Sequence, residues 1–206
     1  NHPCQVMADM LTIYEEFGRL EGVRLAYVGD SNNVATSLMM AAAQFGLEMS
    51  IGSPDSYQPK EETIERAQRL SRGRLTVQVT DDPAAAVEGA DVVYTDTWTS
   101  MGQEEEAEKR RAVFPPFQVN RDLLTHASPR AIVLHCLPAH RGEEITDEVA
   151  DGAQSRLFPQ AENRLHAQKG ILVYLLADAG QLSKKAQQRY EKITKKLRKQ
   201  VEHEID

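Results

Sequence analysis

The sequence has little with which to bridge, span or grip a polyanion. Only two of its 206 residues are cysteines, Cys4 and Cys136. That is too few for a disulfide framework, so a reducing, cytoplasmic setting is expected. Long apolar runs are missing too: the longest, Ile171 to Ala177, falls far short of the roughly 20 residues a membrane-spanning helix needs. No charged start followed by an apolar stretch opens the chain, so no secretory signal is expected. Basic residues are outnumbered, with 24 Lys and Arg against 31 Asp and Glu for a formal charge of −7. Their one concentration lies at the extreme C-terminus, so neither nucleic acid nor a membrane is an expected partner. The glycine fingerprint of dinucleotide sites is absent, because Ser31 and Asn33 stand where further glycines would be needed. A nicotinamide dehydrogenase is thereby set aside.

What is present is an alternation of short β-rich runs with helical patterns, which implies a parallel α/β sheet. Residues 5–18 place Val6, Met10, Ile13, Tyr14 and Phe17 at helical spacing. Strands are expected at Val23–Val28, Leu47–Ile51, Leu75–Val79, Asp91–Thr95 and Ala131–Leu137. Helices are expected over Val34–Phe45 and Glu61–Ser71, from Asp82 to Gly89, and from a capping Asn120. Residues 96–118 read as a long loop carrying a charge run, Glu104 to Arg111. The fold expected is a doubly wound five-stranded parallel sheet, Rossmann-like, with a C-terminal helical extension. Its parts are a linking helix over 1–19, the sheet domain over 20–160, a returning helix over 161–181 and a charged amphipathic tail over 182–206.

Ligands of such sheets sit at the carboxyl ends of the strands, where strand order reverses. The loops after strands one, four and five are therefore the places to search. After strand one, Gly29-Asp30-Ser31-Asn32-Asn33 is either a helix cap with a turn or a polar loop whose amides grip a small charged group. Asp96-Thr97-Trp98-Thr99-Ser100-Met101-Gly102, after strand four, holds the only tryptophan and suits a loop with a Gly hinge. Asp96 there is either a turn residue or a carboxylate for a substrate ammonium. After strand five, Cys136 in His135-Cys136-Leu137-Pro138 is either a buried small apolar group or a reactive thiolate. Neighbours on a strand point to opposite faces, so His135 and Cys136 are not expected to chelate one metal. Pro3 and Gln5 suit a first helical turn, where Gln5 would aim its amide at an anion. Arg164 taken alone is an ordinary surface arginine.

Taken in order, HPCQ, GDSNN, DTWTSMGQE, HCLP and AENR resemble the ornithine carbamoyltransferases, over residues 1–177. The SMG loop resembles the ornithine-using branch rather than the aspartate-using one. The resemblance implies that His2, Gln5 and Arg164 meet carbamoyl phosphate. It implies that Asn33 meets the ornithine carboxylate region, and that Asp96, Ser100 and Met101 hold the α-amino end. Cys136 and Leu137 would lie beside the reacting δ-amine, with Asp96 and a Cys136 thiolate ordering it and accepting its proton. The products would be citrulline and phosphate, with no metal or organic cofactor. The family's first domain, with its phosphate loop, does not appear in this sequence. The chain alone is therefore expected to be inactive, the complete enzyme to be a homotrimer or higher, and the helix around Ile171–Leu176 to have its apolar side left bare or covered by a neighbour. A carbamoyltransferase for another amine, and a non-catalytic amino-acid-binding module, are the competing readings.

Overall fold

A computed structural model of the chain describes residues 1–99 and 106–176, with Lys184 and Gln188. It divides into two compact units, residues 1–165 and 166–206. The first unit contains α1 (Pro3–Phe17), β1 (Arg24–Val28), α2 (Asn33–Phe45), β2 (Glu48–Gly52), α3 (Glu61–Leu70) and β3 (Val77–Thr80). There follow α4 (Pro83–Val87), β4 (Val92–Thr95), α5 (Ala107–Val113), α6 (Arg121–Leu124), β5 (Ile132–His135), α7 (Asp147–Ala150) and α8, which runs from Leu157 to Leu176 across the division.

The strands form one parallel sheet in the order β3-β2-β1-β4-β5. The order reverses between β1 and β4, so the crevice opens where Val28 and Thr95 pair. The expected fold class is the one observed. Because side chains alternate along a strand, β1, β4 and β5 each feed two cores. Leu25 and Tyr27, Val92 and Tyr94, and Ile132 and Leu134 pack with α1 and α2 through Ile13, Leu38 and Met39. Ala26, Val28, Val93 and Val133 pack on the other side with Val87, Phe114, Phe117 and Leu157. Leu38 and Leu134 are fully buried, and each such side chain contributes about 1.5–3 kcal/mol.

Local chemistry sets the element ends. Asn32, Asp82 and Asn120 cap α2, α4 and α6 through side-chain oxygens that accept backbone N–H groups. Gly46 stops α2 in the left-handed conformation, φ 76°, with its N–H on Ala42 O. Gly52 has a packing reason: a Cβ there would lie 2.9 Å from that of Ala86, so α4 could not press on β2.

Two regions differ from expectation. Residues 96–118 are not one loop, since α5 and a 3-10 turn at Pro115–Phe117 lie within them. The charge run turns inward at Arg110, which is 4% exposed, and an arginine so desolvated needs the fixed backbone a helix gives. The short helix α7 was not anticipated. Strand bounds shift by one or two residues: β2 and β3 run one past their expected ends, and β5 stops at His135 rather than Leu137.

In the second unit, α8 carries Leu172, Val173, Leu175 and Leu176 at 45–77% exposure within this chain. No described helix is long and apolar enough to cross a membrane. The tail over 182–206 lies outside the described residues, apart from Lys184 and Gln188.

Candidate active site

The crevice between β1 and β4 is built around one carboxylate. Asp96 follows the last residue of β4 and is 7% exposed. Its Oδ2 accepts from Asn32 Nδ2 at 2.7 Å, and its Oδ1 accepts from Thr97 N at 2.8 Å and from Cys136 Sγ at 3.0 Å. One side chain thus ties together the loops after β1, β4 and β5. Asn32 serves two purposes: its oxygen caps α2 by accepting from Val34 N at 2.8 Å and Ala35 N at 3.3 Å, which leaves its amide hydrogens for Asp96. Both readings of that loop therefore hold at one residue. Asn33 is the first residue of α2 and is exposed. Ser100 and Met101 lie outside the described residues.

The surroundings of Cys136 favour the thiol over the thiolate. Burial, then the charge of Asp96 and the hydrogen bond to it, push its ionisation far above the ordinary thiol range. The alternation argument that separated His135 from Cys136 also fails, because β5 ends at His135. Beyond the strand the chain turns through Leu137, at φ 55°. Asp96, His135 and Cys136 consequently bring one donor atom each within 4.8 Å of one another. His135 is nonetheless occupied: Nδ1 accepts from Leu137 N at 2.9 Å, which makes Nε2 the protonated nitrogen, 3.1 Å from Glu144 Oε1. That tautomer fixes the turn at Leu137, and the Cys136 S–H already donates a hydrogen bond to Asp96 Oδ1. The donor set therefore serves hydrogen bonding here rather than metal ligation.

A second cluster lies at the start of α1. Gln5 does not aim at the helix N-terminus. It is 1% exposed, with Nε2 donating to Asp9 Oδ1 at 2.8 Å and Oε1 accepting from Arg164 Nη1 at 2.6 Å. His2 sits at the helix entry, its backbone N donating to Ser37 Oγ at 2.8 Å. Burial lowers its pKa, and the Arg164 charge lowers it further against an opposing effect from Asp96. His2 is thus near both clusters, and Arg164 reaches the HPCQ segment across 159 residues of sequence.

Several site residues carried no motif. Arg110 donates to Asp30 Oδ2 and to Trp98 O, each at 2.7 Å, and its guanidinium lies 4.7 Å above the Tyr57 ring. Trp98 is buried and stacked on Phe114 with ring centres 5.8 Å apart, which fixes the base of the loop after β4. Glu144 and the fully buried Asp9, Gln160 and Tyr94 also went unseen. Their one sequence signal is a polar residue on an otherwise apolar helix face or strand.

This pattern can now be set against known proteins. A family profile described as aspartate/ornithine carbamoyltransferase, Asp/Orn binding domain, matches residues 21–175. The chain belongs to the aspartate/ornithine carbamoyltransferase family. Among its relatives is an ornithine carbamoyltransferase of Synechococcus sp., 55% identical over 175 residues, covering 85% of this chain and 57% of the relative. One from Anoxybacillus flavithermus is 54% identical over 177 residues, covering 85% and 56%. The crystal structure of ornithine carbamoyltransferase from Gloeobacter violaceus is similar at a TM-score of 0.77 with 50% identity, covering 84% of this chain and 57% of that one. The structure of the Pyrococcus furiosus enzyme gives 0.79 with 51% identity, covering 84% and 56%. The carbamoyltransferase domain described here thus spans a little over half the length of the relatives it matches.

Proposed function

We propose that this chain is the ornithine-binding part of an ornithine carbamoyltransferase, which transfers the carbamoyl group of carbamoyl phosphate to the δ-amine of L-ornithine, giving citrulline and phosphate. The observation that carries the reading is Asp96, a buried carboxylate at the switch point whose described hydrogen-bond donors are all uncharged. Such a carboxylate favours an ammonium ligand, because a charge-assisted bond replaces a neutral one.

In this reading Asp96, with Ser100 and Met101, holds the α-amino end, and Asn33 meets the carboxylate end. Cys136 and Leu137 border the δ-amine. That amine must lose a proton before it attacks the carbonyl carbon. The protonated thiol cannot take it alone, whereas a relay balances: Cys136 Sγ passes its own proton to Asp96 Oδ1, 3.0 Å away, as it accepts the one from the amine. His2 and Arg164 face the carbamoyl phosphate and Gln5 serves it through its hold on Arg164, which offsets charge on the oxygen of the tetrahedral intermediate and on the departing phosphate. Arg164 is the cation that meets His2 and Gln5 among the described residues. A phosphate dianion calls for more positive charge than one arginine supplies, so the 206-residue polypeptide by itself should show no useful transfer. No metal or organic cofactor is required by these steps, and the complete enzyme is expected to act as a homotrimer or larger assembly in the cytoplasm.

Calorimetric titration with L-ornithine, and with norvaline, which lacks the δ-amine, tests the reading. Saturable binding of both ligands that disappears in Asp96→Ala is the expected result. Binding of neither by a folded chain, with and without carbamoyl phosphate, would overturn it.

A further inference from the structure

Between α1, β4 and α8 lies a hydrogen-bond network that the transfer chemistry described above does not use. Asp9 is fully buried, and its Oδ1 accepts from two amides, Gln5 Nε2 at 2.8 Å and Gln160 Nε2 at 2.7 Å. Gln160 Nε2 also reaches Tyr94 Oη at 3.1 Å, and its Oε1 accepts from His135 N at 2.8 Å. Gln5 Oε1 accepts from Arg164 Nη1. No described donor reaches Asp9 Oδ2 or acceptor reaches Arg164 Nε, although both atoms are buried.

An amide has one acceptor end and one donor end, so whatever fixes one end fixes the other. Asp9 Oδ1 presents lone pairs to both glutamines, so both must turn their NH2 groups toward it. Gln5 is then left presenting oxygen to Arg164, and Gln160 presenting oxygen to the N–H of His135. Were the Gln5 amide reversed, its NH2 would face a guanidinium, donor against donor, and Arg164 would lose its anchor.

We propose that Asp9 is a positioning residue: through the acceptor oxygen Oδ1 it orients Gln5 to hold Arg164, and Gln160 to hold the end of β5 from which Cys136 and Leu137 extend. One buried oxygen thereby sets both the anion-facing arginine and the turn beside the amine. Oδ1 as an acceptor is what matters here, not the carboxylate charge, because a protonated or amidated Asp9 keeps that oxygen. Only the identity of the anion that Arg164 meets rests on the carbamoyltransferase reading; the amide orientations do not.

The test uses the whole chain, ¹⁵N-labelled, with the side-chain amides of Gln5 and Gln160 and the Arg164 Nε–H followed by NMR. Asp9→Asn should keep hydrogen exchange of both amides slow and the Arg164 signal in place. Asp9→Leu should speed that exchange about tenfold, the equivalent of one lost hydrogen bond, and shift the Arg164 signal. Asp9→Ser, a smaller change too short to reach both amides, should behave like Asp9→Leu and covers the case in which the leucine variant fails to fold. Unchanged amides and Arg164 in the serine or leucine variant would overturn the proposal. So would an asparagine variant as damaged as they are, since charge would then be the agent. L-Ornithine is added last. A parent chain with the expected amides that gives no response to that ligand supports the role of Asp9 and counts against the carbamoyltransferase reading alone.

Discussion

A buried acid without a cation of its own must leave a mark on stability, and Asp9→Asn should reveal it. Burial raises the Asp9 pKa from 3.8 to about 7, with hydrogen bonds from Gln5, Gln160 and Tyr94 and the charge of Arg164 only partly offsetting the desolvation. Tyr94 faces Asp9 from β4, Gln160 and Arg164 from α8, and Cys136 senses its charge. Between those two pKa values the folded chain keeps a proton that the unfolded chain has lost. The folded state binds more protons there, so stability falls as pH rises. Below about pH 3.8 both states are protonated and nothing is lost; above about 7 both are ionised and the whole penalty stands. The two values lie about three pH units apart at about 1.4 kcal/mol each, a penalty of about 4 kcal/mol. The amide in the asparagine variant does not titrate. The unfolding free energy of the variant minus that of the parent should therefore climb by about 4 kcal/mol from about pH 4 to about pH 7.5, then level off. Urea denaturation followed by fluorescence of the single, buried Trp98 measures it. Asp30, whose pKa burial raises, and His2, whose pKa burial lowers, titrate in both proteins and cancel in the difference. A flat difference across that range would refute the desolvation argument. A difference that falls with pH would mean that Arg164 dominates.

Three further perturbations probe other parts of the crevice. Arg110→Met strips the buried Asp30 of its cation and should cost about 3–5 kcal/mol, read from the same urea midpoint; a loss under about 1 kcal/mol would show that Asp30 simply takes up a proton. Cys136 should react with iodoacetamide at about pH 8 far more slowly than a free cysteine, because its proton is held by burial and by Asp96. A rate equal to that of a model thiol would place a thiolate in the crevice and restore it as the base. Gln160→Leu leaves the His135 N–H without its acceptor in a buried setting, so a loss of about 1–3 kcal/mol is expected. Fast amide exchange at His135 with the rest of β5 protected would be the matching signature.

Much of the fold could be read from the sequence because its signals are local. Five apolar runs broken by Gly29, Gly46 and Gly89 are enough to name a parallel sheet, and the carboxyl-end rule then names Asp96 and Cys136 without a structure. Most of the failures share one cause, which is that a side chain's partner can lie anywhere in the chain. Arg110 looked like part of a solvated charge run, and nothing near it announces Asp30, 80 residues away. Gln5 looked free for an anion until Asp9 and Arg164 claimed both ends of its amide. The motif GDSNN offered two asparagines, and only the geometry separates Asn32, which caps α2 and holds Asp96, from the exposed Asn33. His135 and Cys136 were set on opposite faces for a different reason: strand alternation was extended one residue past the strand, which ends at His135.

The position of β5 explains why a glutamine was recruited to the centre of this site. β5 is an edge strand, paired on one side only, by β4. Its free edge is covered by the segment before α8, with Val133 N donating to Gln154 O and Arg156 N donating to Val133 O, each at 2.9 Å. That backbone cover passes into α8 at Leu157, so the N–H of His135 would be left buried and unpaired, and such groups are costly. Gln160, one turn into α8, replaces the missing backbone acceptor with its side-chain oxygen. Doing so turns its NH2 inward, where only an acceptor in the α1–sheet interface can satisfy it, and Asp9 supplies that acceptor. Gln5 then meets the same oxygen from α1 and hands its own oxygen to Arg164. Satisfying one edge amide thus links the turn at Cys136 to the arginine beside His2, which places the two halves of the proposed reaction on a single chain of hydrogen bonds.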